Sequence, residues 1–232
     1  QVYIRLDRAL VPTDSVEVAH LLGLLRITAK SNVVMRNLVF CHEASWIMGH
    51  LNDGDGWGVA VSLRAGRTRG RNLLIEGCEF NNCNAAGIKL LDWDDVTIRQ
   101  SRANSNGWKG MGLSHCTNVL VQDCETSYNA WRQQWMRGSG VDAAGIKIIS
   151  DNHRITLHRH YAKDNTGASG IWPDWGNTDI LLDSCIIEDH AFYPLYFEAS
   201  TGPLTLLNCI VRNAPHGFVA HGHSNVRMEG CL

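Results

Sequence analysis

Apolar residues recur along this chain in short runs of strict alternation. An apolar residue, a variable residue and a second apolar residue open a block of the form x-N/D-V-x-I-x-x-C. The pairs are Val33/Met35, Leu73/Ile75, Val96/Ile98, Val119/Val121, Ile155/Leu157, Ile180/Leu182, Leu204/Leu206 and Val226/Met228. From the first residue of each pair, the blocks step by 40, 23, 23, 36, 25, 24 and 22 residues. Five steps share one period and two carry extra chain. A second alternating series follows a glycine or its equivalent: Ile88/Leu90, Met111/Leu113, Ile146/Ile148, Ile171/Pro173, Leu195/Phe197 and Phe218/Ala220. Every member is apolar, while the residues between them vary.

Period-two alternation over four or five residues predicts strands and is too short for amphipathic helices. Strands repeating every 23 or so residues, with Gly and Asn at the corners, predict a right-handed parallel β-helix of about eight coils. A leucine-rich repeat has a similar period but needs an L-x-x-L-x-L pattern and a helical return, and a β-sandwich would not hold one register through eight units. The expectation is an all-β solenoid forming one domain over residues 1–232, with insertions near 41–70 and 130–143. The last residues, SNVRMEGCL, open a further unit, and the chain starts at Gln1, so a longer polypeptide is expected.

The corners change how the cysteines are read. Eight cysteines are present, and Cys78, Cys124, Cys185, Cys209 and Cys231 occupy one position of the repeat, with Ser101 and His160 filling the other rungs. A position that accepts Cys, Ser and His is an inward corner, and coils about 4.8 Å apart sit wider than the roughly 3.5–4.5 Å between Cβ atoms that a disulfide needs. Buried free thiols are expected. Asn106, Asn129 and Asn165 share another corner with Cys83 and His190, and stacked Asn side chains can satisfy backbone groups at a bend.

Composition narrows the partners. The formal net charge is −2, and 21 Lys and Arg are scattered without a basic run, so no nucleic-acid partner is expected. No stretch approaches the eighteen or so apolar residues of a membrane span. No CxxC pair or His cluster calls for a metal, and His158 and His160 alternate to opposite faces. The segment NDGDG at 52–56 half matches a calcium loop and reads first as a turn, leaving calcium as the one cofactor to consider. Oligomeric state is not legible.

Chemistry is expected on the outer face. If Ile171 and Pro173 point inward, then Trp172 and Asp174 point outward, as do Tyr196, Glu198 and His221 by the same count. Asp174, Glu198 and His221 then form one column, continued by Leu91, Ser114 and Ile149 on earlier coils. Two carboxylates on adjacent coils can fall near the separation of about 5–5.5 Å used by retaining glycosidases, and their repulsion should keep one protonated as an acid and the other ionised as a nucleophile. Trp172, Trp175, Tyr193 and Tyr196 crowd the same coils, and aromatic faces suit sugar rings. His221 is a candidate hydrogen-bond partner for substrate. Lys147, two residues before the column, is a further candidate contact. From the second insertion, Trp131, Trp135 and Asp142 are placed as walls of a pocket, while the first insertion contributes Trp46 and Trp57.

The segments GIWPDW at 170–175 and YFEASTGP at 196–203 resemble the paired motifs G-x-W-x-D-W and F-x-E-x-x-x-G-P of β-helical glycoside hydrolases. The nearest such group is the β-xylosidase family with a right-handed β-helix core; fucosidases and xylanases include related ones. The resemblance covers the repeats loosely and about 35 residues specifically, and Pro173 departs from it where a bulky apolar residue is usual. It implies Asp174 as nucleophile, Glu198 as acid/base, a carbohydrate substrate, and secretion or a periplasmic location. A polysaccharide lyase, for which Lys89 and Lys147 share an outward position, and a carbohydrate-binding or structural β-helix that cleaves nothing are the competing expectations.

Overall fold

The computed structural model describes residues 21–44, 59–64, 69–132, 142–222 and 225–232. Among the described residues no helix is long and apolar enough to cross a membrane. Two eight-stranded, wholly parallel sheets build the body. One runs through Leu25–Thr28, Val59–Arg64, Ala86–Leu91, Met111–Ser114, Ala144–Ile149, Ser169–Asp174, Leu195–Glu198 and Phe218–His221. The other runs through Val33–Arg36, Gly70–Glu76, Trp93–Arg99, Thr117–Gln122, His153–His158, Thr178–Asp183, Leu204–Leu207 and Val226–Glu229. A narrow third face holds Glu125–Ser127, Tyr161–Lys163, Ile186–Glu188 and Ile210–Arg212, reached from Val39–Cys41 and Glu79–Asn81 through single bridges at Arg102. Each coil visits the three faces in turn, which is the parallel β-helix that the period predicts.

The alternation fixes the register. Val33, Leu73, Val96, Val119, Ile155, Ile180, Leu204 and Val226 are consecutive ladder partners in the second sheet. Most of these residues and their i+2 mates fill one continuous core. The first insertion is shorter than the spacing implies, because Val59–Arg64 inside it is an ordinary first-sheet strand that buries Val61 and Leu63. Sequence reading missed it because the glycine there leads into Val-Ala-Val rather than Gly-Ile. The NDGDG segment, Trp46, Trp57, Trp135 and His223 lie outside the described residues.

The corners hold free thiols, and their geometry explains which residues substitute for one another. The thiol of Cys124 donates to the carbonyls of Gln122, 3.2 Å, and of Ile98 on the preceding coil, 3.5 Å. Cys209 does the same toward Leu207 and Leu182, and the Ser101 hydroxyl makes the first of these bonds, to Arg99, at 2.8 Å. The position asks for a small side chain with one donor. Burial pushes the Cys124 thiol up to about 12, so it stays a donor and not a nucleophile. At the next corner, Asn129 Oδ1 accepts from the backbone N–H and side-chain amide of Asn106, both 3.0 Å, while its own amide donates to Ala103 O and Asn165 Oδ1. His190 closes that ladder by accepting from the Asn165 N–H.

His160 fills a rung of the thiol ladder and is fully buried, so burial pushes its imidazole down to about 3; burial does the same to His190, to about 4. Both fold as neutral rings, and below the ordinary histidine value of 6.5 the unfolded chain binds protons that the folded chain refuses. Stability is therefore full above about pH 6.5 and falls on acidification toward pH 4, by at most about 1.4 kcal/mol per pH unit for each ring. Denaturant titrations of His160→Ser, which restores the Ser101 solution, should show a shallower loss between pH 6.5 and 4 than the parent. At neutral pH, Cys124→Ser should leave the unfolding midpoint nearly unchanged. Asn129→Ala, which strands the Asn106 N–H and the Ala103 carbonyl, should cost about 2–4 kcal/mol. An Asn129→Ala chain as stable as the parent would remove the ladder's role.

Candidate functional site

The first sheet presents two outward columns side by side. In one, Ser62, Lys89, Gly112, Lys147 and Trp172 follow as ladder partners, with Tyr196 and Val219 paired beyond them. In the other, Leu91, Ser114, Ile149, Asp174, Glu198 and His221 are consecutive partners. Asp174 and Glu198 thus stand on neighbouring strands at one level, about 4.8 Å apart along the backbone. The ladder between these strands is formed at Ile171↔Leu195 and Asp174↔Glu198 and skips the two positions between, where Pro173 has no N–H to give.

A buried ladder that sequence reading missed holds this pair from behind. Asn177 donates its amide to the carbonyls of Asp174, 2.8 Å, and Ile148, 3.0 Å, and to the Ser200 hydroxyl. Ser200 donates to the Glu198 carbonyl at 2.9 Å, and Asn152 passes the same pattern to the preceding coil. Only Asn and Ser at matching offsets after each strand would have signalled it.

Both carboxylates are partly exposed, with side-chain accessibilities of 17% for Asp174 and 26% for Glu198. Lys147 points outward from its strand yet is 1% exposed. Its ammonium donates to Asp174 Oδ2 at 2.8 Å, lies 3.3 Å from Asp142 Oδ1, and sits 3.1 Å above the centroid of Trp172. Burial pushes it below the ordinary lysine value, against the pull of Asp142 and Asp174. Asp142 also takes a 2.8 Å bond from Lys109, and the two ammoniums outweigh its own burial, holding its carboxyl below the usual range. Lys109 in turn lies 3.9 Å over the ring of Trp108.

Around Glu198, the Trp172 indole N–H donates to Oε2 at 3.2 Å and His221 Nδ1 lies 3.6 Å from Oε1. Burial, reinforced by a hydrogen bond to Glu198, pushes the Tyr196 phenol up to about 12. Trp172 and Tyr196 are tilted at 5.2 Å between centroids, Tyr193 follows at 5.1 Å, and His216 lies 5.2 Å beyond. Trp175 is 69% exposed and holds a φ of 58° at the bend after Asp174. Its counterparts at that bend are Asp92, His115, Ser150 and Ala199, small or polar residues better suited to the left-handed region.

The structure therefore brings together Asp174, Glu198, Trp172, Tyr196, His221, Lys147 and Asp142, with Trp175 beside them. Trp131 does not join them; its indole donates to Ser105 O, and it lines a separate cleft with His42, Glu43 and Asn84. Among the described residues no group of three or more His, Cys, Asp or Glu could hold a metal ion.

Over residues 25–174 the chain matches the family model described as the right handed beta helix region. No curated protein matches it in sequence. Among solved structures it is similar to XylC in complex with xylose, at 11% identity and a TM-score of 0.63, over 87% of this chain and 34% of that one. It is also similar to the periplasmic alginate epimerase AlgG, at 12% identity and a TM-score of 0.52, over 88% of this chain and 42% of that one. A third likeness is to pectate lyase Pel9A, at 13% identity and a TM-score of 0.51, over 75% and 55%. The chain thus spans from a third to just over half of the length of these proteins, and at such identities the likeness is one of fold. With the matched region covering more than half of the sequence, the chain belongs to the right-handed β-helix family.

Proposed function

We propose that the chain hydrolyses a glycosidic bond of a poly- or oligosaccharide, with Asp174 as nucleophile and Glu198 as general acid and base. The observation that carries this reading is the pair of partly exposed carboxylates on adjacent strands beside a row of aromatic rings. Retaining hydrolysis needs two carboxyl groups about 5–5.5 Å apart. Asp174 attacks the anomeric carbon as Glu198 gives its proton to the departing oxygen, and Glu198 then takes a proton from the water that releases the sugar from Asp174. Lys147 supports the first role by fixing the Asp174 rotamer through Oδ2. The Trp172 indole fixes Glu198 through Oε2. His221, 74% exposed, follows Glu198 in the column, and the exposed Trp175 follows Asp174 in the chain; the two suit hydrogen bonding and stacking to a sugar ring. A secreted or periplasmic location goes with this reading; AlgG, similar in fold, is a periplasmic enzyme.

One observation favours a second reading. A buried lysine whose ammonium is pushed down is what a lyase base requires, and pectate lyase Pel9A shares the fold. The near-complete burial of Lys147 and its two carboxylate partners weigh against it, since abstraction needs a lysine that reaches the substrate.

Aryl glycosides, beginning with xyloside and fucoside, and plant or algal oligosaccharides are the assay. Asp174→Asn should lower kcat/KM by at least about a thousandfold, and Glu198→Gln by about 10²–10⁴-fold, less on aryl substrates whose leaving group needs no proton. Unsaturated products absorbing in the ultraviolet would replace the hydrolase with a lyase, and saccharide binding without turnover by the parent chain would replace it with a binding module.

Trp175 gives a separate test, because relieving its backbone and removing its ring act in opposite directions. Trp175→Asn should raise stability by up to about 1 kcal/mol, since Asn accepts φ > 0, while raising KM or weakening saccharide binding. A variant stabilised with unchanged saccharide affinity would take Trp175 out of the site.

A further inference from the structure

From Lys89 to Tyr196 the outward column that carries Lys147 and Trp172 is bulky except at one place. Between Lys89 and Lys147 it holds Gly112. The backbone does not require glycine there: its φ lies outside the left-handed region, and an added Cβ would meet nothing nearer than Lys109 Cδ at 3.5 Å and Lys89 Cγ at 3.6 Å, which is ordinary contact. The other glycines in or next to the strands of this sheet are different. At Gly145 and Gly170 a Cβ would come within 2.6 Å of a neighbour, at Gly110 within 2.7 Å and at Gly87 within 2.9 Å, in most cases against backbone carbonyls. Packing demands those four. Gly112 instead sits inside a strand, where glycine weakens the fold relative to alanine.

What the missing side chain leaves is a cleft of about 170 Å³ bounded by Trp108, Lys109, Leu113, Ser114, Asp142 and Ile149. That is close to the roughly 150 Å³ of an engineered cavity that takes up one benzene, suited to one sugar ring rather than a chain. Ser114 and Ile149 belong to the Asp174 column, and Ile149 is the direct ladder partner of Asp174, so the cleft lies along the solenoid axis from the carboxylate pair, with Ile149 one coil from Asp174. The lining combines apolar surface from Trp108 and Ile149 with hydrogen-bonding groups at Ser114 and Asp142. The stems of Lys89 and Lys109 are the atoms nearest the notch. The lysines around it are engaged: Lys109 and Lys147 share Asp142, Lys147 also serves Asp174, and Lys89 has a partner too. Such a surface suits a ring with apolar faces and uncharged hydroxyl edges.

We propose that the Gly112 cleft is a subsite for a second, uncharged sugar residue of the saccharide whose glycosidic bond lies over Asp174 and Glu198, so that the substrate runs along the solenoid axis. The assignment rests on the hydrolytic reading for its neighbour, but its test does not need turnover. Calorimetry on the full chain with thio-linked saccharides, whose sulfur bridge resists hydrolysis, compares one, two and three rings of xylose, fucose, glucose and galacturonate. In at least one neutral series the second ring should tighten binding tenfold or more. Gly112→Leu, which fills the cleft, should abolish that gain and leave single-ring affinity unchanged; if it does not fold, Gly112→Thr carries the same comparison. Gly112→Ala should melt at or above the parent temperature. A second-ring gain that survives the filled cleft, a gain confined to galacturonate, no gain in any series, or a Gly112→Ala chain that fails to fold would each overturn the proposal. A parent that cleaves no oxygen-linked saccharide but loses its second-ring gain in Gly112→Leu would keep the subsite and discard the hydrolytic chemistry.

Discussion

Everything in this molecule depends on the hydrogen-bonded ladder between successive coils. Parallel pairing repeats one register along the whole stack, so a residue's place in the repeat decides its neighbours on the coils before and after it. A slip of one residue would turn the inward Val and Ile pairs outward and expose the core. The apolar alternation therefore locks the register on each sheet, and the thiol and amide ladders lock it at the corners. Asp174 and Glu198 lie dozens of residues from the loops that shape their surroundings, yet their proximity follows from this lock alone.

Onto that repeating frame the candidate site adds a chain of contacts that does not repeat. Lys109, Asp142, Lys147 and Asp174 alternate in sign across three successive coils. Burying an ammonium is costly, and a lone Lys147 at this depth would be strongly unfavourable. It is tolerated because two carboxylates and the face of Trp172 surround it, with Trp108 doing the same for Lys109. Asp142, at the end of the second insertion, stands in the middle of the set and completes its charge alternation.

This division explains what could be read from the sequence. The sheets, the inward pairs, the thiol ladder and the Asp174–Glu198–His221 column are all consequences of position within a repeat, and alternation exposes them directly. Asp142 was placed only as a wall, because nothing in NAWRQQWMRGSGVD states that its carboxylate bridges two lysines from other strands. Lys147 looked like an exposed cation, since the strand pattern gives the direction of a side chain and not what lies over it. Trp131 left the same insertion for another cleft, where its indole N–H finds the Ser105 carbonyl. The Asn152, Asn177 and Ser200 ladder escaped because its three members share a hydrogen-bonding role and not a residue type.

Three residues that break local rules lie close to Asp174. Trp175 is a bulky side chain at positive φ, Pro173 interrupts the ladder of an interior strand, and Lys147 is a buried cation. Each costs stability, and each lies within one strand of Asp174. Elsewhere on the stack the matching positions hold the residues that folding favours: Ser150 or Asp92 at the bend and Leu113 or Ile148 inside the strand. Natural sequences depart from local consistency mainly where something other than folding is selected. Three different departures meet around one carboxylate, and they mark the Asp174 column on energetic grounds that do not depend on any likeness to another protein.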